Sequence, residues 1–172
     1  MYAARFAWNY LGQPLFRFSL PRAFGWRRWI LRRFGARLRD NTLVYPTARI
    51  FHPWLLEMDE WSNLGHGVII YNLGSVSIGS HSVLSHGAYL CAGTHDYTRS
   101  DMPLMKPAIR VGHGVWIATQ AFIGPGVTIG DNTVIGARAV VMKDVPAGVV
   151  AAGNPARVIK ARVMQPTPVP PV

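Results

Sequence analysis

An aliphatic residue recurs every six positions along the second half of the chain, and this period constrains the fold more than any other feature. Six such positions follow one another without a gap: Val111, Ile117, Ile123, Ile129, Ile135 and Val141. The residue after each is mostly small: Gly112, Ala118, Gly124, Gly130, Gly136 and Met142. Since a helix repeats about every 3.6 residues and an ordinary strand every two, this period predicts a coil of short flat strands joined at corners.

In such a coil, one aliphatic side chain per strand points inward and stacks on its equivalent in the next turn. We interpret the glycines as corners whose backbone torsions are closed to residues with a Cβ atom. The same grid fits Ile78, Leu84 and Leu90, and upstream it weakens into Val44, Ile50 and Leu56.

The grid breaks once, in the stretch LCAGTHDYTRSDMPLMKPAIRVG. The position six after Leu90 holds Asp96, and the count resumes only at Val111. Residues 95–110 are therefore predicted to leave the coil as an extruded loop, in which Pro103 and Pro107 oppose a regular helix or ladder. Loops held on rigid scaffolds often carry chemistry, so this loop is the first place to look for an active site.

The net charge of +10 is concentrated at the amino terminus. Residues 1–39 contain nine Arg and no acid, which leaves nine Lys and Arg against eight acids in the rest of the chain. The nearly neutral remainder argues against a nucleic-acid groove, so no nucleic-acid partner is expected. The stretch PRAFGWRRWILRRFGARL brings apolar and arginine side chains together at helical spacing: Ala23, Trp26, Ile30 and Phe34, flanked by Arg27, Arg28, Arg32 and Arg33.

Two interpretations of this basic segment stay open. Residues 14–39 could lie on an anionic membrane surface, or the helix could cap the open end of the repeat. No apolar stretch is long enough to span a membrane, and MYAARFAWNY lacks the pattern of a cleaved signal. With a single cysteine, Cys91, the sequence predicts a cytoplasmic protein, peripheral at the inner membrane face if the segment binds lipid.

Longer stretches carry a family resemblance. IGPGVTIGDNTVIGARAVVMKDV and VVAAGNPARVIK resemble the hexapeptide-repeat acyltransferases. WLLEMDEWSNLG and LSHGAYLCAGTHDY, with the Arg-rich lead, are similar to the colanic-acid-biosynthesis acetyltransferase subfamily. The resemblance implies an all-β fold, a left-handed parallel β-helix with an N-terminal helical segment; the handedness comes from the resemblance alone. The expected organisation is a helical segment at 1–39, the β-helix domain at 40–163 with its loop, and a Pro-rich extended tail at 164–172.

The family resemblance also implies an activity. It predicts transfer of an acetyl group from acetyl-coenzyme A to a hydroxyl of a sugar or glycan precursor, in a homotrimer with its sites between subunits. His95 matches the family's catalytic histidine, a general base that removes the hydroxyl proton. Asn72 and the adjacent Tyr71 are expected to bind the acceptor, although asparagine is also a common corner residue. Asp96 is expected on the acceptor side as a residue that fixes the loop.

The resemblance places the coenzyme along the late coils. Trp116 is expected to line the site, and backbone groups around Ala118, Thr119 and Ala137 to meet the pantetheine arm, with an amide near Thr119 stabilising the oxyanion. Met142 stands where the family often has threonine. The nucleotide end is expected at Gly153, Asn154, Pro155, Arg157 and Lys160, where the two basic side chains suit phosphate.

Other chemistries are weaker alternatives. Cys91 could act as a nucleophile, but it occupies a small-residue position of the grid. Histidines in the coils (His66, His81, His86 and His113) could suggest a zinc hydratase, but their spacing does not bring three rings together, and we expect no metal. A trimeric scaffold without catalytic activity is the remaining alternative.

Overall fold

The computed structural model describes residues 2–165, and most of the predicted Pro-rich tail lies outside this range. The chain begins with α1 (Tyr2–Ala7), a π-helical turn (Trp8–Gly12), α2 (Gln13–Arg17) and α3 (Phe24–Arg33). A short 3-10 turn follows at Pro53–Leu55. No helix among the described residues is long and apolar enough to cross a membrane.

Short strands then wind into three parallel sheets. Sheet 1 contains β1 (Arg37–Leu38), β4 (Leu56–Met58), β7 (Val76–Ile78), β12 (Ile109–Val111) and β15 (Thr128–Ile129). Sheet 2 contains β2 (Leu43–Val44), β5 (Asn63–Leu64), β8 (Val83–Leu84), β13 (Trp116–Ile117), β16 (Val134–Ile135) and β18 (Val149–Ala152), and then the antiparallel β19 (Arg157–Ala161). Sheet 3 contains β3 (Arg49–Ile50), β6 (Ile69–Tyr71), β9 (Tyr89–Cys91), β14 (Phe122–Ile123) and β17 (Val140–Val141).

The three sheets form a β solenoid of about six turns, which confirms the predicted coil. The six-residue grid marks its interior: Ile117 pairs with Leu84 and Ile135, and all three side chains are fully buried. Burying one such side chain contributes about 1.5–3 kcal/mol, so the repeated stack accounts for most of the core.

The upstream grid is wrong in one respect. Met58, and not only Leu56, stacks in sheet 1, because Leu38 pairs with Met58 and Met58 with Ile78, each twenty residues apart. Later turns take eighteen residues, as between Val111 and Ile129. The early turns therefore each hold two extra residues at the corner after sheet 3, which shifts the aliphatic positions out of the simple count.

The predicted role of the glycines also needs correction. Those directly after the stacked aliphatics do not have positive φ; the left-handed torsions belong to the residue two further on, as at Gly114 (φ 62°). A Cβ atom on Gly79 would lie 2.6 Å from the backbone of Gly112. These positions are small because successive coils approach closely there.

The N-terminal helices close the first turn of the solenoid. Successive coils are joined by backbone hydrogen bonds, as from Leu43 to Ser62, but the first coil has no preceding coil, so carbonyl groups on its outer edge need other donors. Side chains of the helical segment donate to them: Arg27 to Val44, Arg28 to Thr42, Arg32 to Leu38 and Trp8 to Ile50. In the structure, the basic segment therefore caps the first coil of the solenoid.

The face of α3 was only partly predicted. Ile30 is buried as expected, but Arg27 and Leu31 are buried beside it, and Trp26 stacks on Trp29 at the exposed surface. The solenoid also begins earlier than expected, since β1 starts at Arg37.

Candidate active site

The predicted loop leaves the solenoid between β9 and β12 and contains an antiparallel hairpin of β10 (Thr94–His95) and β11 (Leu104–Met105). Ile109 and Arg110 already belong to β12, so the excursion is slightly shorter than predicted. Both ends of the loop rest on one corner of the second turn. A Cβ atom on Gly74 would lie 2.7 Å from the carbonyl oxygen of Pro107, and the Gly74 N–H donates to Ala92. This anchoring holds the hairpin against the rigid solenoid.

His95 lies on this hairpin with its side chain exposed to solvent. Its Nδ1 atom is 2.6 Å from the carbonyl oxygen of Met102 on the returning part of the loop. Because a carbonyl only accepts hydrogen bonds, Nδ1 carries the proton, and Nε2 of the neutral ring has a free lone pair. The tautomer set by this contact is the one that a base acting through Nε2 requires.

The carbonyl of Met102 is itself held in a restricted backbone conformation. Met102 has a backbone φ of 39°, which residues other than glycine seldom adopt. Neighbouring residues stabilise the same part of the loop, since Arg99 donates two hydrogen bonds to the Asp101 carboxylate. The loop therefore fixes the carbonyl that orients His95.

Asp96 stabilises the loop, as predicted from its position beside His95. Its Oδ1 atom accepts hydrogen bonds from the backbone and the hydroxyl of Thr98, at 3.1 and 2.6 Å. Its backbone N–H donates to the carbonyl of Pro103 across the hairpin. In this arrangement the carboxylate shapes the tip of the loop and does not orient the ring of His95.

The structure does not support direct acceptor binding by Asn72. Its side chain is fully buried, where Oδ1 accepts from the His52 N–H and Nδ2 donates to the His52 carbonyl. The amide thus joins two successive corners, which is the structural alternative considered above. Tyr71 is half-buried and packs edge-on against Phe51 at 4.7 Å, near the start of the loop at Gly93.

His52 completes this buried corner. Its Nδ1 donates to the carbonyl of Asn72 at 3.0 Å, and burial lowers the pKa of the imidazole below its ordinary value. The His52–Asn72 pair was missed from the sequence, because a contact between residues twenty apart leaves no local pattern.

The predicted pantetheine residues stack in the column of corners that follows sheet 2. Thr119 accepts from the N–H of Arg138, which places the corner at Ala137 directly on the next coil. The Ala118 N–H is not free for a ligand, since it donates to Ile135. The Thr119 N–H has no backbone acceptor within residues 2–165.

Trp116 lies on the outer face of sheet 2, about half exposed, and its Nε1 donates to the hydroxyl of Ser85 at 2.9 Å. Ser85 was not singled out from the sequence, because a small residue is expected at this position of the grid, directly after Leu84. The hydrogen bond ties the indole to the preceding coil.

The predicted nucleotide end lies beside a groove of about 600 Å³ at the last turns. Met142, Pro155 and Arg157 line it, together with Lys143 and Asp144, which the sequence did not single out. Gly153 and Asn154 form the turn between β18 and β19, where the Gly153 carbonyl accepts from Val140. Lys160 lies on β19 with its side chain exposed.

Comparisons with known proteins identify the family. The protein-family model described as "Bacterial transferase hexapeptide (six repeats)" matches residues 108–143. The Escherichia coli (strain K12) protein named "Putative colanic acid biosynthesis acetyltransferase WcaF" is 42% identical over 156 residues, which cover 91% of this chain and 86% of that protein. The chain belongs to the hexapeptide-repeat acetyltransferases.

Further relatives have the same fold. The galactoside O-acetyltransferase of Escherichia coli (strain K12) is 31% identical over 148 residues, covering 84% of this chain and 73% of that protein. A maltose O-acetyltransferase from Clostridium difficile 630 superposes with a TM-score of 0.83 at 28% identity, covering 95% of this chain and 88% of its own. A galactoside acetyltransferase in complex with coenzyme A superposes with a TM-score of 0.78 at 28% identity. The match covers 92% of this chain and 80% of that chain.

For a hexapeptide-repeat acetyltransferase, the single chain leaves its predicted site residues in separate places. His95 is on the loop that follows sheet 3. Trp116 lies in sheet 2 and Thr119 follows it, and the groove beside Arg157 is lined without His95.

The weaker chemistries find little support in the same geometry. Cys91 is half-buried, and its Sγ donates to the carbonyl of Gly93 at 3.4 Å, so it packs at the loop's exit as the grid predicts. Among residues 2–165, no three His, Cys, Asp or Glu side chains are grouped so that they could hold a metal ion.

Proposed function

We propose that this acetyltransferase moves an acetyl group from acetyl-coenzyme A to a hydroxyl of a sugar or glycan precursor in exopolysaccharide biosynthesis. The observation that carries the proposal is the Nδ1 contact of His95 with the Met102 carbonyl, which leaves Nε2 free to act as a base. The names of the relatives support the acceptor class, since they include O-acetyltransferases of galactosides and of maltose.

The proposed reaction is direct and passes through no acyl-enzyme. His95 Nε2 takes the proton of the acceptor hydroxyl while the hydroxyl oxygen bonds to the thioester carbonyl carbon. The carbonyl π electrons move onto oxygen to give a tetrahedral oxyanion. When this collapses, the carbon–sulfur bond breaks, the acetyl ester is released, and the imidazolium returns its proton to the coenzyme A thiolate.

The Thr119 amide is our candidate for stabilising the oxyanion, because its N–H has no backbone acceptor among the described residues. Such a donor contributes about a hundredfold or more in other enzymes. Trp116 and the corner at Ala137 would hold the pantetheine arm. Arg157 and Lys160 would meet the phosphates as charge-assisted donors, with Met142 along the groove between.

The outer faces of the solenoid support a homotrimer. Outward residues of sheet 1 are polar, as in the row Arg37, Glu57, Ser77, Arg110 and Thr128. Those of sheet 2 are largely apolar, as in Val83, Trp116, Val134 and Val150. Those of sheet 3 are apolar after Arg49 of the first coil, as in Ile69, Tyr89, Phe122 and Val140.

Two different apolar faces on each subunit suit a closed ring, in which sheet 2 of one subunit covers sheet 3 of the next. The loop with His95 continues directly from sheet 3, so this packing would carry His95 of one subunit over Trp116 of its neighbour. The site would then be complete only in the assembly.

Mixed trimers test this shared site. His95→Asn and Trp116→Ala are each expected to lower transfer strongly as pure trimers. Refolding the two together should restore part of the activity, because some interfaces then combine a native His95 with a native Trp116. Activity no higher than the sum of the separate variants would place the whole site within one chain.

We also propose a cytoplasmic enzyme that contacts the inner face of the membrane through residues 14–39 of its N-terminal segment. The segment's excess of arginine over acid supports this location.

An acceptor screen tests the chemistry at His95. Thiol release from acetyl-coenzyme A would be followed with galactosides, maltose and nucleotide sugars. With an active acceptor, His95→Asn should lower the rate about 10²-fold or more. His81→Asn is the matched control: His81 lies in a coil corner with a φ of 57°, which asparagine tolerates. Equal rates for both variants would contradict the base assignment, and coenzyme binding without transfer to any acceptor would favour a scaffold.

A further inference from the structure

The N-terminal helical arm is apolar on two opposite sides. Its inner side packs on the solenoid through Trp8, Gly12 and Phe16, which are spaced four apart and buried. Its other sides carry large exposed side chains: Tyr2, Phe6, Tyr10, Leu11, Leu15 and Phe18. Contiguous exposed apolar side chains of this size normally mark a contact surface, so the outer side of this arm is a candidate docking surface.

The exposed apolar side chains of the arm adjoin the exposed tryptophans of α3. Phe6 and Tyr10 contact each other, with ring centroids 4.5 Å apart. Trp26 donates from Nε1 to the Leu15 carbonyl and stacks on Trp29 at 5.1 Å. We call this outer side of the arm, together with Trp26 and Trp29, the aromatic surface.

The charges around the aromatic surface have one sign. Arg5, Arg17, Arg22 and Arg33 are exposed, and the ion pairs found within residues 2–165 include none of them. Residues 1–39 contain no acidic side chain that could neutralise them. The remaining arginines of α3 are occupied elsewhere, because Arg27, Arg28 and Arg32 donate to carbonyl groups of the first coil.

We propose that the aromatic surface is a membrane-docking surface that binds a bilayer rich in anionic lipid. Aromatic side chains favour the interfacial region of a bilayer, and arginines beside them attract anionic headgroups. A second copy of the chain fits less well, since two such surfaces would bring like charges together. The proposal deepens the peripheral location proposed above: the contact lies on residues 2–29, and not on the side of α3 that caps the solenoid.

Vesicle flotation tests this surface with the full chain. Vesicles of phosphatidylglycerol and phosphatidylcholine would be compared with vesicles of phosphatidylcholine alone. The wild-type protein should bind the anionic vesicles more tightly. The combined change Arg5→Gln, Arg17→Gln and Arg22→Gln should weaken that binding about 10²-fold, and so should Phe6→Ser, Tyr10→Ser and Phe18→Ser.

Trp61→Asn is the matched control, because Trp61 is an exposed aromatic residue on a solenoid corner with a φ of 60°. It should leave vesicle binding unchanged. All changed side chains are exposed, so thermal unfolding of the variants should match the wild type. Failure of the wild type to bind anionic vesicles would overturn the proposal.

Two other results would also overturn it. Vesicle binding that neither triple variant weakens would place the contact elsewhere on the chain. A larger assembly that sedimentation detects, and that only the serine variant dissociates, would assign the surface to contact between copies. Calorimetric binding of acetyl-coenzyme A to the same samples reports the transferase site separately, so either claim can fail alone.

Discussion

The two ends of the solenoid leave backbone groups without a neighbouring coil, and the chain covers them in different ways. Hydrogen bonds run in both directions between successive coils, as from Leu43 to Ser62 and from His81 back to Glu60, so neither end exposes a single kind of group. Arginine and tryptophan side chains of the helical segment donate to carbonyl groups of the first coil. At the other end, β19 covers the edge of sheet 2 by antiparallel pairing with β18.

The two ends differ in what supplies the hydrogen bonds. At the N-terminal end side chains supply the donors, and arginine carries several donors in a fixed plane. At the C-terminal end backbone pairs with backbone, which leaves the side chains of β19 exposed. We infer that the N-terminal closure mainly stabilises the fold, whereas the C-terminal closure mainly presents groups to a ligand.

The largest effect on stability is expected from Arg27→Met. The side chain of Arg27 is fully buried and donates to Val44, Leu20, Pro21 and Ser19. Removing the guanidinium leaves buried acceptors without donors, which should lower the free energy of unfolding by about 3 kcal/mol or more. Urea unfolding measures this.

Arg33→Met is the control for that change, because Arg33 is exposed at the end of the same helix. It should alter stability by no more than about 0.5 kcal/mol. Equal losses for the two variants would show that the arginines do not act as caps.

A smaller effect is expected from Trp8→Phe. This change keeps an aromatic ring in the core but removes the Nε1 donor to the Ile50 carbonyl, 2.8 Å away. The unfolding free energy should fall by about 1–3 kcal/mol, since a buried carbonyl loses its partner. The same substitution at the exposed Trp29 should be nearly neutral; if both cost the same, the hydrogen bond contributes nothing.

Acid should destabilise the fold through His52. Burial lowers the pKa of His52, so the unfolded chain binds a proton more readily than the folded one. The stability present at neutral pH should therefore decline as the pH falls below about 6.5, the ordinary pKa of histidine. His52→Asn should flatten this dependence in pH-dependent urea unfolding, and an unchanged slope would contradict the assignment.

The smallest effect on stability is expected at the other end. Arg157→Ala and Lys160→Ala remove exposed side chains from β19 and should change the unfolding free energy by less than about 0.5 kcal/mol. Each should nevertheless weaken acetyl-coenzyme A binding about tenfold, because a charge-assisted phosphate contact is lost. Destabilisation without weaker binding would reverse our assignment of the two ends.

The sequence was informative where the fold repeats. Ile117 and Ile135 occupy identical positions in successive coils, so their spacing predicted both the strands and the stacked core. The loop was predictable for the same reason, since Asp96 falls where the stack requires an aliphatic residue.

Features without a period were not predictable. The two extra residues in the early turns displaced Met58 from the grid, and the arm through Trp8 and Phe16 has no repeat to reveal it. At the candidate site, His95 came from the family resemblance, but its partner is the backbone of Met102, which no residue type encodes. The Asn72 amide was misassigned to the acceptor because its buried partner, His52, lies in a different coil.

Calorimetric titration of acetyl-coenzyme A into the wild-type protein and into His95→Asn tests the central claim most directly. The account predicts saturable binding of similar affinity in both, since His95 serves the acceptor and not the coenzyme. No saturable binding by the folded, assembled wild-type protein would contradict it.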